Sequence, residues 1–284
     1  MAQAISARGK LAARLARHST GIIASVLFVA PIVWTVLSAF KPAQEARLPP
    51  LPPWPTTGFS LENYQTLNSF GDGLWVSAQN SIYVSVMTVI LSVIVSVLAG
   101  YGFSRFRFPC KDLFFVLILS TIMIPFQSIL TPIFLVLTKL GLHNTLTGLV
   151  GVYVTLQLPF SIFMMRNAFD AVPREIEEAA LVEGCSRLRV FTRITLPMMR
   201  APLASAALFV FILNWSDYLI ALLLTTREWV TIPVYMASLS SSMTGQLYGA
   251  KAALGLIAAV PPVIMGIAIQ RHLVRGLTFG ALKQ

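Results

Sequence analysis

Charge is scarce in this sequence. Asp, Glu, Lys and Arg make up 11% of its 284 residues, 56% are hydrophobic, and the mean hydropathy is +0.75. A soluble domain carries about 25% charged residues. A chain this long could bury a good core, but this composition cannot supply the polar surface that water demands, which leaves the lipid bilayer as solvent. Cysteine is scarce too. Cys110 and Cys185 are far from a disulfide framework, and both fall on the side assigned below to the cytoplasm, where reduced, structurally inert thiols are expected. His18, His143 and His272 are scattered, without the spacing of metal ligands. The sequence contains no G-x-x-x-x-G-K-[ST] phosphate loop and no G-x-S-x-G nucleophile setting. Those absences exclude P-loop ATP binding by this chain and leave an enzyme reading without residues to carry it.

What the sequence does have is long apolar runs. A membrane helix needs about 20 apolar residues to cross ~30 Å of hydrocarbon. Charge-free runs cover 19–40, 73–104, 113–138, 144–165 and 252–270, and a sixth, 201–226, is interrupted only by Asp217. The fold class expected is therefore an all-α integral membrane protein with six transmembrane helices. The first run follows a basic start (Arg8, Lys10, Arg14, Arg17) like that of a signal peptide. It is longer than the ~7–15 residues of a signal's apolar region and lacks a nearby small-x-small cleavage site, so it reads as an uncleaved first helix.

Net charge is +10, which in a soluble chain would suggest nucleic acid. Here the basic residues sit at the ends of apolar runs, so no nucleic-acid partner is expected. With the N-terminus inside, segments 1–18, 105–112, 166–200 and 271–284 hold 16 of the 21 Lys and Arg residues. That asymmetry predicts both termini in the cytoplasm and a multi-pass inner (plasma) membrane location, surrounded by lipid. The organisation read is a basic segment (1–18), a first span (19–40), an outer loop (41–72) and a membrane core (73–284) with a charged inner loop at 166–200. The outer loop contains LPPLPPWPTTG, which cannot be helical and should lie extended. FSLENYQTL (59–67) follows as a short amphipathic helix with Ser60 as possible N-cap. The loop at 227–250 is polar and Ser-rich.

Polar residues inside the spans are few. Asp217, in NWSDYL, is a functional candidate because a carboxylate at membrane depth is costly, and the plain alternative is a hydrated structural carboxylate near a helix end. Gln127, Gln157, Asn214 and Ser216 could line a solute cavity or simply bond between helices at about 0.6 kcal/mol each. Pro125 and Pro132 should bend the third span.

The densest charge lies in EIEEAALVEGCSRLRVFTRITLP, 175–197. Pro173 suits a first helical position, and Glu175, Glu177 and Glu178 complement a helix N-terminus. Gly184 can stop that helix in the left-handed conformation, Ser186 can cap a second, and Pro197 should end it. On the second limb Leu188, Phe191 and Thr195 or Ile194 share one face. The product is a helix–turn–helix outside the membrane, acidic then basic, with an apolar stripe that a protein partner would bury; the alternative, an amphipathic loop lying on the membrane surface, is disfavoured by three glutamates near anionic headgroups.

These residues resemble a known family. Glu178-Ala179-Ala180, Gly184, Ile194, Leu196 and Pro197 match the EAA loop, EAA-x3-G-x9-I-x-L-P, of the permease subunits of ABC importers. FSLENYQTL, Asn80-Ser81, GYGFSRFRFP (100–109), Met123-Ile124-Pro125, LGLHNT and GLTFGALK are similar to the shorter, six-helix partner in the maltose-type carbohydrate-uptake branch. The chain departs from that branch at Cys185, at Cys110 (where glycine is common), at Ser216 and in its final Lys-Gln. The resemblance implies the type I ABC importer permease fold and one half of a heterodimeric permease pair. It also implies two cytoplasmic ATPases that use ATP and Mg, an extracytoplasmic solute-binding protein, a sugar substrate, and no cofactor on this chain. The loop would be a coupling helix, with Glu178 pairing to a basic ATPase residue and Gly184 permitting the turn. The tail around Gly276, Thr278 and Gly280 would reach the ATPases. Gln127, Asn214, Ser216 and Asp217 are the candidate pathway lining. The alternatives are a permease for glycerol phosphate or another non-sugar solute, and a stand-alone secondary transporter.

Overall fold

The computed structural model describes residues 2–42, 44–45, 52, 54–226, 228–239 and 247–281, with side chains from 17 to 270 within those ranges. Most of the proline-rich stretch at 48–53 and the Ser-rich stretch at 240–246 lie outside the described residues. The chain forms two compact units, residues 1–73 with 236–258 and residues 74–235 with 259–284. Among the described residues the regular structure is entirely helical.

In the first unit, α1 (Ala2–Ala39) ends where the Asn63 amide donates to the carbonyls of Ala39 (3.0 Å) and Lys41 (2.7 Å). Those two bonds tie the helix end to α2 (Glu62–Ser69), and Phe40 packs on Tyr64. Ser60 Oγ does accept from Glu62 N at 3.1 Å, but it sits one position before the residue that caps the helix. Glu45 accepts from the amide and hydroxyl of both Thr56 and Thr57. Those bonds, the Thr57 hydroxyl foremost, hold its carboxyl down to about 2.

The second unit is built on α3 (Leu74–Arg105) and α6 (Leu146–Asp170). Along α3 the buried face reads Ser77, Ser81, Ser85, Thr88, Ser92, Ser96, Gly100 and Ser104, one small residue per turn. Small residues replace the hydrophobic effect as the means of association in lipid, because they let backbones approach. The approach is closest at Gly100: a Cβ there would stand 2.6 Å from Met165 Cβ and 2.9 Å from Arg166 N. The opposite face of α3 (Ile82, Val86, Ile90, Ile94, Leu98) is exposed, as a lipid-facing or partner-facing surface must be.

Two of the expected spans are not single helices. The third breaks into α4 (Lys111–Ser120) and α5 (Phe126–Lys139), bent by 98°. Pro125 is the cause: it forces Ile124 into an extended conformation (ψ 120°) and a short 3-10 turn precedes it. Pro132, by contrast, stays inside α5. The fifth breaks at Ser216–Tyr218, between α10 (Arg200–Trp215) and α11 (Leu219–Leu224) once the inner segment below is counted. Among the described residues four helices are long and apolar enough to cross a membrane, and up to six spans result if two bent pairs, Lys111–Met123 with Phe126–Lys139 and Arg187–Met198 with Arg200–Trp215, each count as one.

Between these lie α7 (Arg174–Val182), α8 (Arg187–Val190), a π turn at Phe191–Thr195 and α9 (Leu196–Met198). Helix α7 starts one residue after Pro173, which stands in the capping position rather than the first turn. Pro197 does not end the second limb: it follows the π turn at Phe191–Thr195 within the continuous helical run Arg187–Met198, and the chain turns by 73° only at Met199. Helix α12 (Ile232–Ser238) and α13 (Tyr248–Ala281) complete the order.

Candidate functional site

Two places collect the polar chemistry of the chain. The first is the 174–198 segment. Gly184 has φ +86°, Cys185 N donates to Ala180 O (3.1 Å) and Gly184 N to Leu181 O (3.0 Å). This is a Schellman stop, which consumes two of the carbonyls that α7 would otherwise leave unpaired. Nothing stands within 4 Å of a Cβ at Gly184, so backbone conformation alone requires glycine there. Ser186 caps the second limb by accepting from Arg189 N.

The segment is fixed to the spans from its inner side. Arg105, at the end of α3, donates Nε to both Glu177 oxygens (3.0 and 3.1 Å), and its Nη2 is 3.0 Å from Glu177 Oε1. The two side chains are 7% and 10% exposed. Thr195 Oγ1 donates to the same carboxylate at 3.0 Å, so one glutamate clasps both limbs. Arg105 Nη2 also donates to Val172 O and Nη1 to Ser104 Oγ, which in turn donates to Asp170. Phe191 packs on Tyr101 (4.7 Å between ring centres), and Val97, Met165 and Phe169 form the apolar floor beneath Leu196 and Met199.

The apolar stripe of the second limb is therefore only partly open. Val190 and Thr195 are buried, and Phe191 and Ile194 half-buried, within this chain, whereas Leu188 remains 72% exposed. On α7 the outward face is Glu175, Glu178, Ala179 and Val182, all exposed, with Val182 at 87%. Of the sequence-derived residues, Glu178 and Ala179 are exposed, Glu178 on the rim of a pocket it shares with Tyr101 and Arg105, Ala180 is half-buried, and Leu196 and Pro197 are half-buried. Gly276, Thr278 and Gly280 belong to the backbone of α13, and their side chains lie outside the described residues.

The second place is a cavity of about 460 Å³ opened by the break in the third span. Gln127 and Asp217 line it, together with Tyr153, Gln157 and the rings of Phe160 and Phe209. Tyr153 OH donates to Asp217 Oδ2 at 2.8 Å, and the amides of Ile220 and Ala221 donate to the same oxygen at 3.0 and 3.3 Å. Asp217 therefore caps α11 and explains why the fifth run restarts there. Gln157 Nε2 donates to Asn214 Oδ1 at 2.6 Å, leaving Gln157 Oε1 and Asn214 Nδ2 buried without a partner. Asn214 stands behind Gln157 and is not on the wall, and Ser216 is exposed away from the cavity. The residues that sequence reasoning missed are Arg105, Glu177 as a clasp, and Tyr153.

Residues 92–279 match the family of binding-protein-dependent transport system inner membrane components. The diacetylchitobiose uptake system permease protein DasC of Streptomyces coelicolor is 30% identical over 265 residues, covering 93% of this chain and 95% of that one. The trehalose transport system permease protein SugB of Mycobacterium tuberculosis is 32% identical (89% and 92% covered), and the trehalose/maltose transport system permease protein MalG of Thermococcus litoralis is 32% identical (92% and 94%). In fold, the chain is similar to a chain of a bacterial ABC transporter that imports the acidic polysaccharide alginate. The TM-score is 0.78 at 20% identity, with 90% of this chain and 95% of that one covered.

Proposed function

Because this chain belongs to the family of binding-protein-dependent transport system inner membrane components, we propose that it is one permease of a heteromeric importer that moves a sugar across the inner membrane at the expense of ATP. The chain is an ABC transporter permease, a transport protein rather than an enzyme. Its similarity to permeases for diacetylchitobiose, trehalose and maltose supports an oligosaccharide or related polyol as substrate. Two cytoplasmic ATPases, a second permease and an extracytoplasmic binding protein complete the machine, and ATP with Mg is used by the ATPases alone.

One observation carries the coupling role. The 174–198 segment presents Glu178, Ala179 and Val182 outward while a nearly buried ion pair ties its inner side to α3. A surface that is exposed, part acidic and part apolar, and tied to the spans by a nearly buried ion pair is what a moving ATPase needs in order to push on them. In this reading the segment faces the cytoplasm, Glu178 pairs with a basic ATPase residue, and Gly184 sets the turn between the limbs. The α13 tail around Gly276, Thr278 and Gly280 lies toward the same partner. Gln127 and Asp217 line part of the solute pathway.

The test is assembly followed by crosslinking. Val182→Cys, with Cys110 and Cys185 replaced by serine, should crosslink to an ATPase subunit in the purified complex, and the yield should change on ATP binding. A chain that purifies alone and transports without ATPases would overturn the reading.

A further inference from the structure

The cavity at the broken third span has one property that its volume does not convey. Among the described residues lining it, Asp217 is the sole charged side chain; the other polar groups are amides and hydroxyls, including Gln127, Gln157 and Tyr153. The carboxylate is oriented but not neutralised. Its three hydrogen bonds come from Tyr153 OH and the amides of Ile220 and Ala221, all on Oδ2, and no basic side chain among the described residues pairs with it. Oδ1 is left as an acceptor. Beside it, the Gln157–Asn214 pair makes one bond where two amides could make two, leaving Gln157 Oε1 and Asn214 Nδ2 unpartnered with both residues more than nine-tenths buried. Ring faces from Phe160 and Phe209 close the wall.

We propose that this cavity is a selectivity element that admits neutral, hydroxyl-rich solutes and rejects anionic ones, with Asp217 as the deciding residue. The inference rests on the transport reading above and adds a choice within it. Acceptors such as a carboxylate and amides suit sugar hydroxyls, and aromatic rings suit the apolar face of a sugar ring. A phosphate ester or a uronate meets an uncompensated negative charge. At ~6 Å that repulsion disfavours a unit anion by a factor between about three in a fully wet cavity and about a hundred at an effective dielectric of ~20. A phosphate-selective passage would instead need Lys or Arg on this wall.

The experiment measures the charge selectivity directly. In the assembled complex in nanodiscs, with Cys110 and Cys185 replaced by serine, Gln127→Cys reports from the wall. Its modification rates with a cationic and an anionic methanethiosulfonate are each normalised to a free thiol. Because a cation gains what an anion loses, the cation-to-anion ratio is the square of the factor above, so it should be at least about tenfold, the wet-cavity limit; it should collapse toward one in Asp217→Asn and return in Asp217→Glu. Asparagine Oδ1 can still accept from the amides of Ile220 and Ala221, so the cap of α11 survives the change. A ratio near one with Asp217 intact, or an unchanged ratio in Asp217→Asn, overturns the proposal, and the first of these needs no Asp217 variant to fold. ATPase stimulation by the loaded binding protein is read in the same samples. Its absence alongside an intact labelling pattern would count against the transport reading alone.

Discussion

Arg105 and Glu177 form a nearly buried ion pair, Nη2 to Oε1 at 3.0 Å, between the end of α3 and the first turn of α7. The carboxylate has a second donor in Thr195, and the guanidinium reaches Val172 O and Ser104 Oγ. Removing one partner leaves a buried charge uncompensated, which costs ~3–5 kcal/mol, whereas replacing both with apolar residues of similar volume can be neutral. Arg105→Met and Glu177→Leu singly should therefore lower the melting temperature of the complex, and the double variant should regain most of it. What the double variant should not regain is transport per ATP hydrolysed, because the clasp between the limbs and the span is gone. A double variant as destabilised as the sum of the singles would refute the pairing.

Gly100 and Gly102 stand two residues apart on α3 and should respond oppositely to alanine. At Gly100 the new methyl meets backbone and Cβ atoms of α6 at 2.6–3.0 Å, so α3 and α6 must separate. Overpacking of that kind costs ~1–3 kcal/mol. At Gly102 nothing lies within 4 Å, and alanine gains up to ~1 kcal/mol of helix propensity. Thermal unfolding of the two variants in one detergent measures the difference.

Cys110 has φ +57°, the left-handed region, at the start of α4. For a β-branched residue that conformation is an outlier. Cys110→Val should lose ~1–2 kcal/mol and Cys110→Gly should be tolerated, because glycine takes the left-handed conformation without steric cost. A melting curve for Cys110→Val that superimposes on the parent would contradict the backbone geometry.

Much of this was legible in the sequence because the determinants are local. Gly184 as a helix stop and Ser186 as a cap follow from the conformations those residues allow, and Pro125 breaks the third span where it stands. The small-residue stripe from Ser77 to Ser104 was also there to read, at one residue per turn, but its partner helix was not. What remained hidden depends on distance along the chain. Tyr153 reaches Asp217 across 64 residues and Arg105 reaches Glu177 across 72, and no periodicity encodes such a meeting. Asp217 itself showed as an anomaly of charge, while its part as the cap that restarts a helix after Ser216 required the fold.

Glu177 and Glu178 are neighbours with the same side chain, and the helix turns them to opposite tasks. Glu177 is clasped inward, whereas Glu178 stands exposed on the face with Ala179 and Val182. Glu178→Lys should leave the stability within about 0.5 kcal/mol of the parent, as exposed substitutions do, while ATPase activity loses its stimulation by the loaded binding protein. Glu177→Gln should reduce both stability and stimulation. Gly184→Pro separates the two effects again: it imposes φ near −65° where +86° is needed, which removes the turn and the Gly184 amide together. It should abolish transport with the spans still inserted. The decisive comparison is between adjacent glutamates in the same preparation. If Glu178→Lys melted as early as Glu177→Gln, the outward face would be structural, and the coupling surface would have to be sought elsewhere on the chain.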